Sequence, residues 1–447
     1  MLAVLSNRVY RHLFLAQIVA LIGTGLATVA LGLLAFELAG GNAGAVLGTA
    51  LAIKMIAYIG VAPIVGAFAD RLPRRVFLVA MDLVRAGVAI SLPFVDQIWQ
   101  IYLLIFVLQS ASAAFTPTFQ ATIPDVLPAE QDYTRALSLS RLAYDMESLT
   151  SPILAAALLT MISFHWLFAG TAVGFLVSGL LVMSVILPSP AATDTARRSI
   201  YERTTRGIRI YLKTPRLRGL LALTLASAAA SSLVIVNTVV IVRGDMGLTQ
   251  RDVALALAAF GGGSMTAAFM LPRLLEKLTD RSVMIGAGVA MTVALSLLTG
   301  LTLTLLGQST YWPVLLGGWL FLGVAYSMSV TPGGRLLRKS ANAEDRPALF
   351  AAQFALSHGC WLITYPLVGW LGASIGQGAA FAAMAIIAGV GTGIALWIWP
   401  RRDPEIVPHS HAQLAPDHPH LQEGHGPDAP SHAFVIDDLH ALWPKPK

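Results

Sequence analysis

The chain has 447 residues, of which 56% are hydrophobic and only 12% are charged. Soluble domains carry about 25% charged residues, and one or two soluble cores cannot bury this much apolar surface, so the composition excludes an ordinary soluble protein and favours a membrane protein. The net charge of +6 does not indicate a nucleic-acid partner, because the basic residues stand in short clusters between apolar runs. The single cysteine excludes an internal disulfide.

Twelve apolar runs are long enough to cross a bilayer as helices, which requires roughly 20 residues each. These predicted spans lie near residues 12–38, 44–67, 76–95, 100–122, 137–162, 166–187, 218–242, 252–272, 283–306, 312–333, 346–373 and 377–399. Of the 30 Lys and Arg residues, twenty-five fall at the termini, in the loops after even-numbered spans or at the first residue of the span that follows such a loop. The positive-inside rule therefore places both termini in the cytoplasm, and no cleaved signal peptide is predicted.

The loop between spans 2 and 3 reads GAFADRLPRR and concentrates four charges in ten residues. Gly66 allows close packing of neighbouring helices, and Asp70 can pair with a basic group or cap a helix. Arg74 and Arg75 can anchor at anionic headgroups. The loop is therefore either a functional contact or only a signal for membrane topology.

Six charged residues are predicted inside the spans of the first half, where a charge is costly and faces the bundle interior or water. They are Lys54 in span 2, Asp82 and Arg85 in span 3, and Arg141, Asp145 and Glu147 in span 5. Arg141 and Asp145 can pair on one helix face, while Glu147 can reach Lys54 or stay protonated. Two interpretations stay open: a proton-coupling network, with Asp145 and Glu147 as the proton-binding groups, or a static salt-bridge network that joins spans 2, 3 and 5.

The spans of the second half have no deeply placed carboxylate. Their candidates for the substrate cavity are Asn237 and His358, and the first half adds Gln17 and Gln109. A lone histidine in this setting is either a structural hydrogen-bonding residue or a substrate or proton site.

The longest internal loop, residues 188–217, divides the spans six and six. Its arginines alternate with apolar residues such as Ile208, Tyr211 and Leu212, which predicts an interfacial helix on anionic lipid; the alternative is a solvated basic linker. Thr-Pro and proline features recur between the halves at offsets of 215 and 214 residues. We therefore predict an all-α membrane protein with two pseudo-symmetric six-helix bundles, at residues 1–187 and 218–400, and a substrate path between them.

Residues 401–447 are a predicted cytoplasmic tail, rich in Pro, Gly and His and largely disordered. His-rich tracts bind nickel, zinc, cobalt or copper, and the candidate metal ligands here are His409, His411, His418, His420 and His425. The final segment HAFVIDDLHALWP is apolar instead, and we expect it to dock on the cytoplasmic face or on a partner.

The loop after span 2 resembles the motif G-x-x-x-D-R-x-G-R-R of the major facilitator superfamily, with Gly66, Asp70, Arg71, Arg74 and Arg75 in register. The resemblance covers residues 1–400 in span count, six-plus-six division and orientation. It implies that Asp70 belongs to a charge cluster that latches the two halves on the cytoplasmic side in the outward-facing state.

The chain is most similar to the drug- and siderophore-exporter branch of that family, whose third span begins with an Asp-x-x-Arg like that of Asp82 and Arg85. Two family features are absent: the glycines of the antiporter proline motif, where Ser151 stands, and the arginine that many antiporters carry in span 4. The tail resembles those of nickel- and cobalt-resistance exporters.

The resemblance implies a secondary transporter that works by alternating access in the bacterial cytoplasmic membrane. We expect proton-coupled efflux of a small molecule by a monomer that requires no cofactor. The alternatives are efflux of nickel or cobalt with a divalent metal bound to the tail, and a non-transporting membrane sensor or scaffold. The sequence contains no nucleophile triad, P-loop or tight zinc site, so we predict no enzyme.

Overall fold

A computed structural model describes residues 2–68, 73–188, 200–342 and 345–401, together with 403, 434–437, 439–440 and 442–444. Within these residues the backbone forms α-helices joined by short turns, without a β-strand.

Six long helices make up the first half, and they alternate in direction across the molecule. They are α1 (Arg8–Ala39), α2 (Ala43–Phe68), α3 (Arg74–Ser91), α4 (Ile98–Val126), α5 (Glu130–Leu158) and α6 (His165–Met183). We call this group the N-bundle. Each helix coincides with one predicted span, although α5 begins seven residues before span 5.

The second half adds six long helices and two short ones. They are α7 (Ile200–Lys213), α8 (Pro215–Val239), α9 (Gln250–Lys277), α10 (Asp280–Leu305), α11 (Tyr311–Val330), α12 (Gly333–Lys339), α13 (Arg346–Ser374) and α14 (Gln377–Ile398). The six long helices form the C-bundle, and a π-helical turn, Val240–Asp245, extends α8. The prediction of twelve transmembrane helices in two bundles is confirmed.

By length and composition, nine stretches of the described chain can cross a membrane, and the first, Arg8–Val61, holds both α1 and α2. Two helices of 29 residues each, α5 and α13, lie outside this set. These two helices carry Glu147 and His358, two of the predicted polar site residues.

The bundles meet mainly through two helix pairs, α2 with α13 and α5 with α9. Within the N-bundle the main contacts join α1 with α6 and α3 with α6, and within the C-bundle they join α9 with α11, α8 with α14 and α10 with α14. The internal repeat relates α2 to α9 and α5 to α13, so it exchanges the two cross-bundle pairs. The interface is therefore pseudo-symmetric, as the sequence repeat predicts.

Close backbone contact joins α2 and α13 at the end of the molecule opposite the chain termini. A Cβ on Gly369 would overlap the carbonyl oxygen of Gly44, and a Cβ on Gly48 would overlap that of Tyr365. Small residues permit this approach of membrane helices. We call the contact the glycine seam, and it closes this end of the bundle interface.

The linker helix α7 packs on the C-bundle. Tyr211 is fully buried, and its hydroxyl donates a hydrogen bond of 2.5 Å to Oε1 of Gln353 in α13. Arg206 binds Asp345 through two hydrogen bonds of 2.5 and 2.9 Å. Protein therefore covers Tyr211 on the apolar face of α7, and the contact of this helix with anionic lipid stays a prediction.

Candidate functional site between the bundles

The loop after α2 is described only in part, because Asp70 and Arg71 lie outside the described residues. Gly66 lies in the last turn of α2. Arg74 forms an ion pair with Asp125 of α4, and Arg75 donates a hydrogen bond to the backbone carbonyl of Met183.

These two contacts correct the expectation that both arginines are anchors for lipid headgroups. Arg74 is only 7% exposed, so its charge is directed to a carboxylate of its own bundle rather than to lipid. Both arginines connect the start of α3 to neighbouring helices of the N-bundle.

Asp82 and Arg85 form a buried ion pair on α3. Ser178 of α6 donates a hydrogen bond of 2.9 Å to Oδ2 of Asp82. The Arg85 guanidinium lies 4.2 Å from the ring centroid of Phe115 and 4.5 Å from that of Phe175, a geometry in which both rings attract the cation. The pair therefore joins α3 to α4 and α6.

The static network of spans 2, 3 and 5 stays a prediction, since the Arg85 charge acts on Tyr58 of α2 and Tyr144 of α5. The hydrogen bonds of Asp82 and Arg85 lie inside the N-bundle, and Asp82 is 0% exposed. A charge pair that is enclosed in one bundle holds its helices together, even though the buried Nε of Arg85 has no hydrogen-bond partner among the described residues. It is less suited to exchange protons with two sides of a membrane.

Glu147 of α5 and Lys54 of α2 occupy a different position, because α2 and α5 make the main contacts of the N-bundle with the C-bundle. The two side chains are close enough to attract each other electrostatically. Glu147 also packs on α1, where a Cβ on Gly25 would overlap both Glu147 and Ser151. The glycine at position 25 therefore leaves the space that this carboxylate fills.

An aromatic contact connects Lys54 to the C-bundle. The Lys54 ammonium lies 5.9 Å from the ring centroid of Tyr58, one helical turn further along α2. Tyr58 stacks on His358 of α13, with centroids 5.4 Å apart and planes at 16°, and also contacts Phe354 at 5.8 Å. We call Lys54, Tyr58, Glu147 and His358 the interface cluster.

The tautomer of neutral His358 follows from its hydrogen bond. Its Nδ1 lies 2.6 Å from the carbonyl oxygen of Phe354, and because a carbonyl accepts, Nδ1 carries the proton. In the neutral ring, Nε2 then has an available lone pair. His358 therefore has a structural role through its Nδ1. Its Nε2 is a polar atom of the interface cluster.

The amide candidates occupy three different environments. Gln17 accepts a hydrogen bond of 2.9 Å from Ser140 and lines a cavity of about 40 Å³ with Phe115, Phe119 and Tyr144. Gln109 is buried, at 8% exposure. Of Gln17 and Gln109, only Gln17 lines a cavity in this structure.

Asn237 is fully buried at the glycine seam. Its Nδ2 donates a hydrogen bond of 2.8 Å to Oε1 of Gln377, and its Oδ1 is buried without a hydrogen-bond partner. A Cβ on Gly44 would lie 3.7 Å from that oxygen. In this conformation Asn237 is therefore a packing residue, and the prediction that it lines a cavity does not hold here.

Several predicted site residues fall outside the description. The side chains of Arg141 and Asp145 are among them, although both residues lie within α5. The five candidate metal ligands of the tail also lie outside the described residues. In the part of the chain that is described, no group of three or more His, Cys, Asp or Glu residues is placed to hold a metal ion.

Sequence reasoning missed Tyr58 and the neutral hydrogen bonds of the C-bundle. Tyr58 has a local signal, since it follows Lys54 by four residues and therefore shares its helix face. Its pairing with His358 has none, because the two residues are 300 positions apart.

Two six-helix bundles that meet around charged and aromatic residues define a multi-pass membrane transporter. The model of the Major Facilitator Superfamily matches residues 13–299 and 220–436, and the chain belongs to this family. The resemblance predicted from the loop motif is thereby confirmed. The family consists of transporters that move small-molecule substrates, and the chain is a transporter, not an enzyme.

Relatives and solved structures agree with this assignment. The chain is 25% identical over 360 residues to the uncharacterized MFS-type transporter YvqJ of Bacillus subtilis, which covers 77% of this chain and 83% of that protein. It is 24% identical over 152 residues to macrolide efflux protein A of Enterococcus faecalis, covering 32% of this chain and 47% of that protein.

Among solved structures, the chain is similar to a bacterial homologue of the human lysosomal transporter Spinster in its inward-facing and unoccupied conformation. The TM-score is 0.66 at 12% identity, and the match covers 87% of this chain and 96% of that chain. This likeness concerns the fold.

Proposed function

We propose that this transporter exports a small organic molecule across the bacterial cytoplasmic membrane in exchange for protons, with Glu147 as the proton-binding carboxylate. One observation carries the proposal: Glu147 and Lys54 lie within electrostatic range of each other, on the two N-bundle helices that make the main contacts with the C-bundle. The environment of both groups must change when the bundles rock.

The chemistry of proton exchange follows from that position. A carboxyl group binds a proton more readily in an apolar environment and releases it beside a cation or in water. When α5 and α2 exchange their C-bundle contacts, the hydration of Glu147 and its attraction to Lys54 change together. The hydrogen bonds of the Asp82–Arg85 pair lie within the N-bundle, although the Arg85 charge acts on Tyr58 of the interface cluster, and we assign the pair a structural role.

The direction and the substrate class rest on two further arguments. The relative from Enterococcus faecalis is named a macrolide efflux protein, which supports export. The cavity beside Gln17 combines phenyl rings with amide and hydroxyl groups; at about 40 Å³ it has room only for water, and we propose that it widens in another conformation to take an amphipathic organic molecule. Because Lys and Arg are concentrated on the side of the termini, we propose that both termini lie in the cytoplasm.

We also propose a latch at Asp70 and a metal-binding tail. Asp70 would latch the two bundles on the cytoplasmic side, and Asp70→Asn should slow transport without preventing insertion. Nickel or cobalt would be the substrate if cells that lack the transporter become sensitive to these ions rather than to organic compounds.

The decisive experiment measures substrate-driven proton movement in proteoliposomes with a pH dye inside. A screen of amphipathic organic compounds, Ni²⁺ and Co²⁺ identifies the substrate first. Glu147→Gln should then reduce proton flux by about tenfold or more, while substrate binding is retained. Glu37→Gln is the matched control, because Glu37 is an exposed carboxylate at the end of α1.

Three outcomes would contradict the proposal in different ways. Full coupling in both Glu147→Gln and Asp145→Asn would remove these carboxylates from the mechanism. Transport without proton movement in the wild type would exclude proton coupling. A wild-type protein that moves none of the compounds or ions would favour the sensor or scaffold.

A further inference from the structure

The last described residues of the chain form a small folded segment that packs on the C-bundle. We call residues 434–437, 439–440 and 442–444 the strap. Phe434, Val435 and Ile436 are 3%, 8% and 2% exposed. Phe434 and Ile436 belong to one apolar cluster with residues of α7, α8, α10, α12, α13 and α14. The strap is therefore docked on protein at the end of the C-bundle that carries the termini.

A polar turn gives the strap its shape. The Asp437 carboxylate accepts hydrogen bonds from the backbone N–H groups of Leu439 and His440, at 2.9 and 2.8 Å, and from Nδ1 of His440, at 2.8 Å. Burial raises the pKa of Asp437, but these hydrogen bonds and the attraction of His440 outweigh it and lower the pKa to about 2. The carboxylate that shapes the turn therefore stays ionised at physiological pH.

Aromatic packing then connects the turn to the docked residues. The Phe434 ring meets His440 and Trp443 edge to face, with centroids 4.7 and 5.1 Å apart. Leu442, by contrast, is 73% exposed. The strap thus has a buried face and a free face.

Arg216 contacts two segments of the chain: Asp403, which precedes the strap, and Trp443, which lies within it. It lies in the first turn of α8 and is only 2% exposed. Its guanidinium is 5.0 Å from the ring centroid of Trp443, and its Nη1 is 3.9 Å from Oδ1 of Asp403. Asp403 also accepts a hydrogen bond of 3.1 Å from Trp399. One buried cation therefore fixes both the residue that follows α14 and the ring near the chain end.

Two helices of the strap cluster, α8 and α13, also contact α2 of the N-bundle, so the strap packs on helices that line the bundle interface. The glycine seam closes the opposite end of the interface, so a change of access opens the seam and brings the termini-side ends of the two bundles together. Leu337 of α12 and Leu349 of α13 belong to the strap cluster. Any movement of these helix ends relative to α8 disturbs the packing of Phe434 and Ile436.

We propose that the strap is an intramolecular clamp that favours the conformation closed at the glycine seam, and that its release shifts the transporter toward the opposite conformation. The occupant of the docking surface is the chain's own C-terminal segment, because its apolar and aromatic residues fill that surface. The proposal requires alternating access, but it does not depend on proton coupling, on the direction of transport or on the substrate.

The test uses the full chain in lipid nanodiscs with two spin labels on the side of the termini. Val76→Cys in α3 and Arg338→Cys in α12 place labels at exposed positions of the two bundles, and Cys360→Ala removes the single native thiol. Trp443→Ala removes the ring over Arg216, Trp443→Phe keeps a ring there, and Leu442→Ala changes the free face as the matched control.

Two readouts report strap release and conformation separately. Trp443→Ala should accelerate hydrogen exchange at the strap amides of Leu439 and His440, and should raise the population with short distances between the labels about tenfold. Leu442→Ala should change neither readout, and Trp443→Phe should restore most of the wild-type behaviour.

The remaining outcomes overturn the proposal. Faster exchange at the strap with an unchanged distance distribution would show that the strap has no control over conformation. Unchanged exchange in Trp443→Ala would show that the contact with Arg216 does not hold the strap. A failure of proton coupling leaves both readouts unaffected, so the two proposals fail independently.

Discussion

The two bundles stabilise their interiors by different chemistry. The N-bundle encloses charged groups, namely the Asp82–Arg85 pair and the attracting residues Lys54 and Glu147. In the described part of the C-bundle, neutral hydrogen bonds between side chains of different helices take the place of such charged groups. They join Ser227 with Ser329, Ser232 with Thr364, Asn237 with Gln377, Trp319 with Thr238 and Trp361 with Ser231.

This difference assigns separate tasks to the two halves of a pseudo-symmetric molecule. Neutral hydrogen bonds do not respond to a proton or to the membrane potential, so the C-bundle can act as a constant surface. Charged groups respond to both. Any proton-dependent step is therefore expected to depend on the N-bundle, and His358 is the C-bundle residue placed to sense it through Tyr58.

The largest effect is expected from breaking the buried pair of the N-bundle. Arg85→Ala leaves the Asp82 carboxylate buried with Ser178 as its remaining bonded partner, and removal of one partner of a buried pair costs about 3–5 kcal/mol. We expect most of the protein to be lost from the membrane or to unfold at much lower temperature. The measurement is the reaction of Cys360, the single buried thiol, with a maleimide dye during heating.

The matched control for this prediction is Arg135→Ala. Arg135 and Asp132 have the same spacing of three residues, but their side chains are 43% and 39% exposed. An exposed pair contributes about 0–1 kcal/mol. Equal losses in the two variants would show that burial of the charge pair is not what distinguishes the N-bundle.

A second, smaller effect is expected where the bundles meet. Gly48→Ala places a methyl group on the carbonyl oxygen of Tyr365, and overpacking of this kind costs about 1–3 kcal/mol. The seam should open, which changes the ratio of conformations about 5- to 150-fold. Distances between spin labels at the two sides of the interface measure that ratio.

Gly60→Ala is the control on the same helix, because a Cβ at Gly60 would meet no atom within 4 Å. It should leave the conformational ratio unchanged. An unchanged ratio in Gly48→Ala as well would mean that the glycine seam adapts to a methyl group and is not a determinant of closure.

The sequence predicted the helices better than it predicted their partners. Apolar length is a local property, so all twelve spans were recoverable, and the start of α5 was placed late because Arg135 and Asp132 interrupt its apolar character. Charge within a span is also local and identified Lys54 and Glu147. Which surface covers Tyr211, and which ring stacks on His358, depend on contacts between distant residues and have no local signal.

The smallest effect is expected from removing one neutral hydrogen bond of the C-bundle. In Trp319→Phe the indole Nε1 can no longer donate its 2.8 Å hydrogen bond to Thr238, while most of the buried ring surface is kept. A buried neutral hydrogen bond contributes about 0.5–1.5 kcal/mol. We expect a small decrease in melting temperature, measured by the reaction of Cys360, and unchanged proton coupling.

Trp397→Phe is the appropriate control, because Trp397 is 82% exposed and should tolerate the change. If Trp319→Phe instead reduced proton coupling while stability stayed the same, the C-bundle would take part in the proton step and the division of tasks between the bundles would be wrong. If it reduced stability alone, the hydrogen bond acts as a fixed structural contact, and the N-bundle is left as the half that carries the proton-dependent groups.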